Sequence, residues 1–191
     1  MESEGPVIVG VSGASGAPIA VKVLEALRAA GAPVALVASR AGLEVVREET
    51  GLDAPALARL AGTSYPDDDL GAPIASGSRP SRGMVVVPCS SSTAAKISLG
   101  LGDTLLTRVA HVHLKERRRL ILVPRETPMP TTLLRHLTNL SELGAVVLVA
   151  SPAYYLRPRA IEDVTDYLAG KVLDHLGVPH TLYRGWKETG K

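Results

Sequence analysis

The chain has 191 residues, 46% of them hydrophobic and only 3% aromatic with no Phe, a length that fits one ordinary domain able to bury about two-thirds of its unfolded surface. A formal net charge of +2 from 21 basic and 19 acidic residues, scattered apart from the run Lys115 to Arg119, excludes a polyelectrolyte surface, so nucleic acid is not an expected partner. The single cysteine, Cys89, excludes an internal disulfide, and apolar stretches such as Ala145 to Ala150 fall far short of the roughly 20 residues that span a bilayer; with an acidic start, Met-Glu-Ser-Glu-Gly-Pro, in place of a basic signal, a soluble cytoplasmic protein is expected.

Val7 to Val11 is a short β-branched run and predicts a strand. Within Ala17 to Ala30, Ile19, Val23 and Leu27 recur every four residues, predicting a helix with Pro18 in its first turn and Gly31 at its stop. Pro33 to Ala38 reads as a second strand and Arg40 to Thr50 as a second helix. From Gly51 to Gly83 the pattern weakens: Pro55 to Ala61 suggests a short helix, while Tyr65 to Asp69 and Ser76 to Gly83 carry turn residues. Met84 to Val87 is a wholly apolar strand, followed by helices over Ser91 to Leu99 and Thr104 to Lys115. Strands over Leu120 to Val123 and Ala145 to Val149 flank a helix across Pro130 to Leu143, and a helix from Ile161 to Leu176 precedes a tail, 178–191, with no clear pattern. Strands apolar on both faces, alternating with helices, predict an α/β fold for a single domain over 1–191: a doubly wound parallel sheet, Rossmann-like or flavodoxin-like. Ligands in such folds bind beyond the carboxyl ends of the strands, near the switch in strand order.

Five segments would stand there. The turn Gly10-Val11-Ser12-Gly13-Ala14-Ser15-Gly16 leaves the first strand and opens the first helix, where free N–H groups attract an anion; it lacks the dinucleotide and phosphate-loop spacings. Ser39-Arg40 after the second strand offers no acid for an NAD ribose, which disfavours NAD and leaves NADP open. Pro88-Cys89-Ser90-Ser91-Ser92-Thr93 presents hydroxyls suited to an isoalloxazine or ribityl phosphate, or equally to helix capping. Arg125 directly after an apolar strand calls for an anionic partner, and Ser151 to Pro158 adds Tyr154, Tyr155 and Arg157. With Arg108, Lys115 and Lys171, one rim gathering several cations is expected.

Other signals point to structure. Asp67-Asp68-Asp69 sits among turn residues, His111 and His113 diverge on a helix, and Cys89 has no neighbouring base; no metal site is expected.

Taken together, Gly13-Ala14-Ser15-Gly16, Ser39, Glu49-Thr50, Ser76-Gly77-Ser78, Pro88-Cys89-Ser90 with Thr93, Leu114 to Arg118, Pro124-Arg125-Glu126-Thr127-Pro128 and Ala153-Tyr154-Tyr155 with Arg157-Pro158 resemble, in order and spacing, the flavin prenyltransferase family of the UbiX type. The resemblance implies that reduced FMN is bound by Gly13, Ala14, Ser15, Ser39, Ser90, Thr93 and Arg125. It implies that dimethylallyl monophosphate is held by Arg108, Lys115, Arg125, Tyr155 and Lys171, with Trp186 enclosing the prenyl group. Ser15, Glu49, Lys115 and Glu126 are the implied catalytic residues, with Glu49 and Ser15 moving protons; for Glu49 the residues alone leave a solvated helix carboxylate equally open. Many relatives carry arginine where Lys171 stands and bulkier residues at Ser91-Ser92. The product would pass to a UbiD-like decarboxylase, and a homo-oligomer, up to a dodecamer, is implied. Alternatives are an FMN-dependent cysteine-type decarboxylase, against which stands the absence of a His before His111, a non-catalytic flavin carrier, and an NADP-dependent reductase.

Overall fold

A computed structural model describes residues 5–186. Strand β1 (Val7–Val11) is buried along its whole length, as its apolar sequence requires of a central parallel strand. Helix α1 (Ala17–Ala29) carries Pro at its start and buries Ile19, Val23, Leu24 and Leu27. Next come β2 (Val34–Ala38) and α2 (Arg40–Thr50), the latter opened by Ser39, whose hydroxyl accepts from the Gly42 N–H. Helix α3 (Ala54–Ala61) is capped by Asp53 and runs straight into β3 (Gly62–Pro66).

Strand β3 corrects the sequence expectation of turn residues from Tyr65 to Asp69 in part: Tyr65 and Pro66 belong to the strand, and the turn follows at Asp67 and Asp68. It is the polar edge of the sheet, pairing only with β2, and an edge tolerates Pro66 because one side of the strand makes no ladder bonds. Beyond it, β4 (Gly83–Cys89) is wholly buried. Then follow α4 (Ser91–Ser98), α5 (Leu105–Lys115), β5 (Leu120–Pro124) and α6 (Thr131–Glu142). The last strand, β6 (Val146–Val147), is shorter than predicted. Its continuation still bonds β5, with Leu148 N–H donating to Leu122 at 2.8 Å and Ala150 N–H to Pro124 at 3.2 Å. Helix α7 (Ile161–Leu176) has the predicted bounds and stops at Gly177.

All pairings are parallel, in the order β3-β2-β1-β4-β5-β6, the doubly wound arrangement expected. Alternate residues of each strand feed two aliphatic layers. Val7, Val9, Val85 and Ile121 face α1, α3 and α7; Ile8, Met84, Val86 and Leu122 face α4, α5 and α6. Among the described residues no helix is long and apolar enough to cross a membrane.

The chain reverses its direction of winding between β1 and β4, and one side chain ties their carboxyl ends. Ser12, 1% exposed, donates its hydroxyl to the Pro88 carbonyl at 3.0 Å and accepts the Ser90 N–H at 2.8 Å. Ser12→Ala leaves that part-buried N–H without its partner, and is expected to lower unfolding free energy by about 1 kcal/mol, measured by urea titration followed by circular dichroism.

Candidate functional site

The crevice beyond Ser12 collects four of the predicted flavin contacts. Gly13, Ser39, Ser90 and Thr93 line a cleft of about 260 Å³. Ser39 and Ser90 also cap their helices: Ser90 accepts the Thr93 N–H at 3.2 Å and donates to the Thr93 hydroxyl at 2.9 Å. Capping and ligand contact are therefore not exclusive, since each hydroxyl oxygen has a second lone pair. A Cβ at Gly13 would lie 2.6 Å from that of Ala41, so only glycine lets the turn press against α2. Ala14 is buried beside it.

The expectation of an anion cradle at the start of α1 is corrected. The Gly16 and Ala17 N–H groups donate to Glu49 Oε2 at 2.9 and 2.8 Å, and Pro18 has no N–H. A carboxylate from the end of α2 thus occupies the positive end of α1, where a negative charge is favoured. Glu49 is accordingly not the freely solvated carboxylate beside Glu48. Partial burial works against its ionisation, but bonds from Ser15, Gly16 and Ala17 and the charge of Arg125 outweigh that and hold it below the usual carboxylate range. Arg125, leaving β5, has its Nε buried without a hydrogen-bond partner, an orphan that an acceptor on a ligand would satisfy. Glu126 accepts from the Ser91 hydroxyl at 3.0 Å.

The remaining candidates stand elsewhere. Arg108 and Lys115 line a cleft of about 440 Å³ beside Gly77, with Lys115 Nζ 2.9 Å from Glu116. Tyr155 and Trp186 border a third of about 650 Å³, their rings edge to face at 4.9 Å. Lys171 lines none of these; its Nζ reaches Asp174 at 3.1 Å. The single cationic rim predicted from sequence is therefore not formed within one chain, because α5 and α7 cover opposite faces of the sheet.

Sequence reasoning missed Asp174 and the role of Asp67, which it left among turn residues. Asp67 Oδ1 accepts the Leu106 N–H at 2.8 Å and so caps α5; burial raises its pKa against that bond. Asp174 accepts from Lys171, from His180 at 3.0 Å and from the Tyr183 hydroxyl. Burial opposes its ionisation, but these bonds keep it below the usual range. The spacing of Lys171 and Asp174 on one helix face was the available signal. Burial pushes the Cys89 thiol up to about 12, far from a reactive thiolate. His111 bonds the Ile97 carbonyl at 3.1 Å.

His113 is buried between α5 and the segment leading to β4. Nδ1–H donates to the Val109 carbonyl at 2.8 Å, leaving Nε2 to accept the Ser81 hydroxyl at 2.9 Å. Burial chiefly, with the Arg118 charge adding and the Val109 bond opposing, lowers its pKa from 6.5 to about 4. The unfolded chain therefore takes up this proton first, so the contribution is intact above about 6.5 and is lost as pH falls toward about 4. Urea titrations across that window should show a flatter fall in stability for His113→Gln than for the unaltered protein.

A family model described as Flavoprotein matches residues 1–173. The protein named flavin prenyltransferase UbiX from Thermoplasma acidophilum is 46% identical over 180 residues, covering 94% of this chain and 99% of that one. Among solved structures, AnUbiX (PadA1) in complex with FMN and dimethylallyl pyrophosphate superposes with a TM-score of 0.94 at 37% identity, over 97% of this chain and 99% of that one. A dodecameric FMN-dependent UbiX-like decarboxylase from Escherichia coli O157:H7 gives 0.93 at 39% identity, over 95% and 99%.

Proposed function

The chain belongs to the flavin prenyltransferase family within the flavoproteins, a transferase that uses FMN, and we propose that it moves a dimethylallyl group from dimethylallyl monophosphate to N5 and C6 of reduced FMN. The prenylated flavin would serve a UbiD-like decarboxylase. The observation that carries the reading is Glu49, bonded to the Gly16 and Ala17 N–H groups at the sheet's switch point and within electrostatic reach of Arg125, whose Nε is buried without a partner.

A hydroxyl-lined cleft and, outside its lining at the end of β5, an orphaned arginine nitrogen suit a flavin, which brings carbonyl, hydroxyl and phosphate acceptors. Gly13, Ala14, Ser15, Ser39, Ser90, Thr93 and Arg125 would hold it. Reduced FMN supplies the nucleophilic nitrogen and ring carbon. The bond that breaks is the allylic C–O bond, whose electron pair leaves with phosphate. Arg108, Lys115, Arg125 and Tyr155 would answer the charge that builds there, the contribution that usually dominates such catalysis. Trp186 would wall in the prenyl chain. An ionised Glu49 near neutral pH is a proton acceptor rather than a donor, and the Ser15 hydroxyl bonded to it is the route by which a proton leaves the flavin edge; Glu126 would orient the neighbouring Ser91. Because the candidates line three separate clefts in one chain, copies of the chain would have to bring them together, a reading supported by the dodecameric relative.

Anaerobic incubation with reduced FMN and dimethylallyl monophosphate should yield a flavin heavier by one five-carbon unit in mass spectrometry; an unaltered flavin mass contradicts the assignment. Glu49→Gln should bind FMN normally but form product about a hundredfold more slowly. Turnover equal to that of the unaltered protein would remove Glu49 from the proton path.

A further inference from the structure

The pocket beside Tyr155 and Trp186 is lined by three arginines, Arg157, Arg159 and Arg184, and two acids. Both acids are engaged elsewhere. Asp163 accepts the Arg159 and Ala160 backbone N–H groups at 2.7 and 3.1 Å, and Asp166 pairs with Lys22 at 3.0 Å. Among the described residues none of the three arginines has a carboxylate within ion-pair distance. Three guanidinium groups outnumber the two carboxylates of the pocket, one of which is paired with Lys22, so the lining keeps an excess of positive charge that an anion would answer, and planar guanidinium matches a phosphoryl group with two parallel bonds.

Two independent features hold a pair of these arginines at the rim. Arg157 has φ 53° and ψ 56°, a left-handed backbone that costs energy in any residue with a Cβ and clusters at ligand sites. Arg184 follows Tyr183, which is locked onto α7. The Tyr183 hydroxyl donates to Asp174, and its ring meets Tyr167 edge to face at 5.1 Å. A Cβ at Gly170 would lie 2.5 Å from the Tyr183 ring. That explains a glycine in mid-helix, where it is otherwise unfavourable: it is the notch into which the C-terminal segment docks. Lys171 serves the same dock, since its ammonium group goes to Asp174 and lies 5.9 Å from the Tyr183 ring centroid.

We propose that Arg157 and Arg184 form the phosphate-binding end of this pocket, taking the part that the resemblance gives to Lys171, while Lys171 and Asp174 act through Tyr183 to position the segment that carries Arg184. The inference deepens the prenyl transfer reading and rests on it for the identity of the ligand.

The test is calorimetric titration of dimethylallyl monophosphate into the protein loaded with oxidised FMN, which reads occupancy without turnover. Arg157→Ala and Arg184→Ala should each weaken binding about tenfold and leave FMN affinity unchanged, with Arg157→Lys and Arg184→Lys recovering part of the loss. Tyr183→Phe should weaken the donor by less than Arg184→Ala does. Alanine variants that bind the donor as tightly as the unaltered protein, or an unaltered protein that does not bind it, overturn the proposal. If the donor binds and the arginines matter while reduced FMN keeps its mass, the transfer reading fails and the arginine assignment survives.

Discussion

Everything at the ligand end of this fold depends on the hydroxyl of Ser12. Parallel strands deliver backbone ends that point out of the sheet, and between β1 and β4 the chain winds away in both directions. The Ser12 N–H joins the two ends by donating to the Pro88 carbonyl at 3.2 Å, and its hydroxyl adds one donated and one accepted bond. The turn at Gly13, the cap of α4 and the end of β4 are thereby fixed relative to one another.

Electrostatics at this edge are arranged by the protein's own carboxylates. Glu49 fills the start of α1 and Asp67 that of α5, so two positive helix ends are neutralised from within. The starts of α2 and α4 are capped instead by neutral serine hydroxyls. A cleft bounded in this way favours a ligand rich in hydroxyl and carbonyl groups over a free small anion, while net positive charge is kept for Arg125 and for the arginines near Tyr155.

Much of this was legible in the sequence because the signals are local. Helices α2 and α7 have their predicted bounds, set by Ser39 at one start and by glycines at both stops, and the apolar runs of β1, β4 and β5 leave no alternative to burial. Strand β3 was not legible: Thr63 and Ser64 are exposed edge residues, and their strand character comes from pairing with β2, which composition does not encode. Nor was the bond between Glu49 and α1, whose partners lie 33 and 32 residues away. The seven short blocks carried the family resemblance well, yet they could not say which cation is already spoken for, as Lys171 is by Asp174.

The fully buried hydrophobic core holds no Tyr or Trp, and the only tryptophan of the chain, Trp186, stands 65% exposed against Tyr155. Indole emission is therefore nearly blind to melting of the sheet. It is instead a native optical reporter of whatever enters or leaves the neighbouring pocket, available without any label.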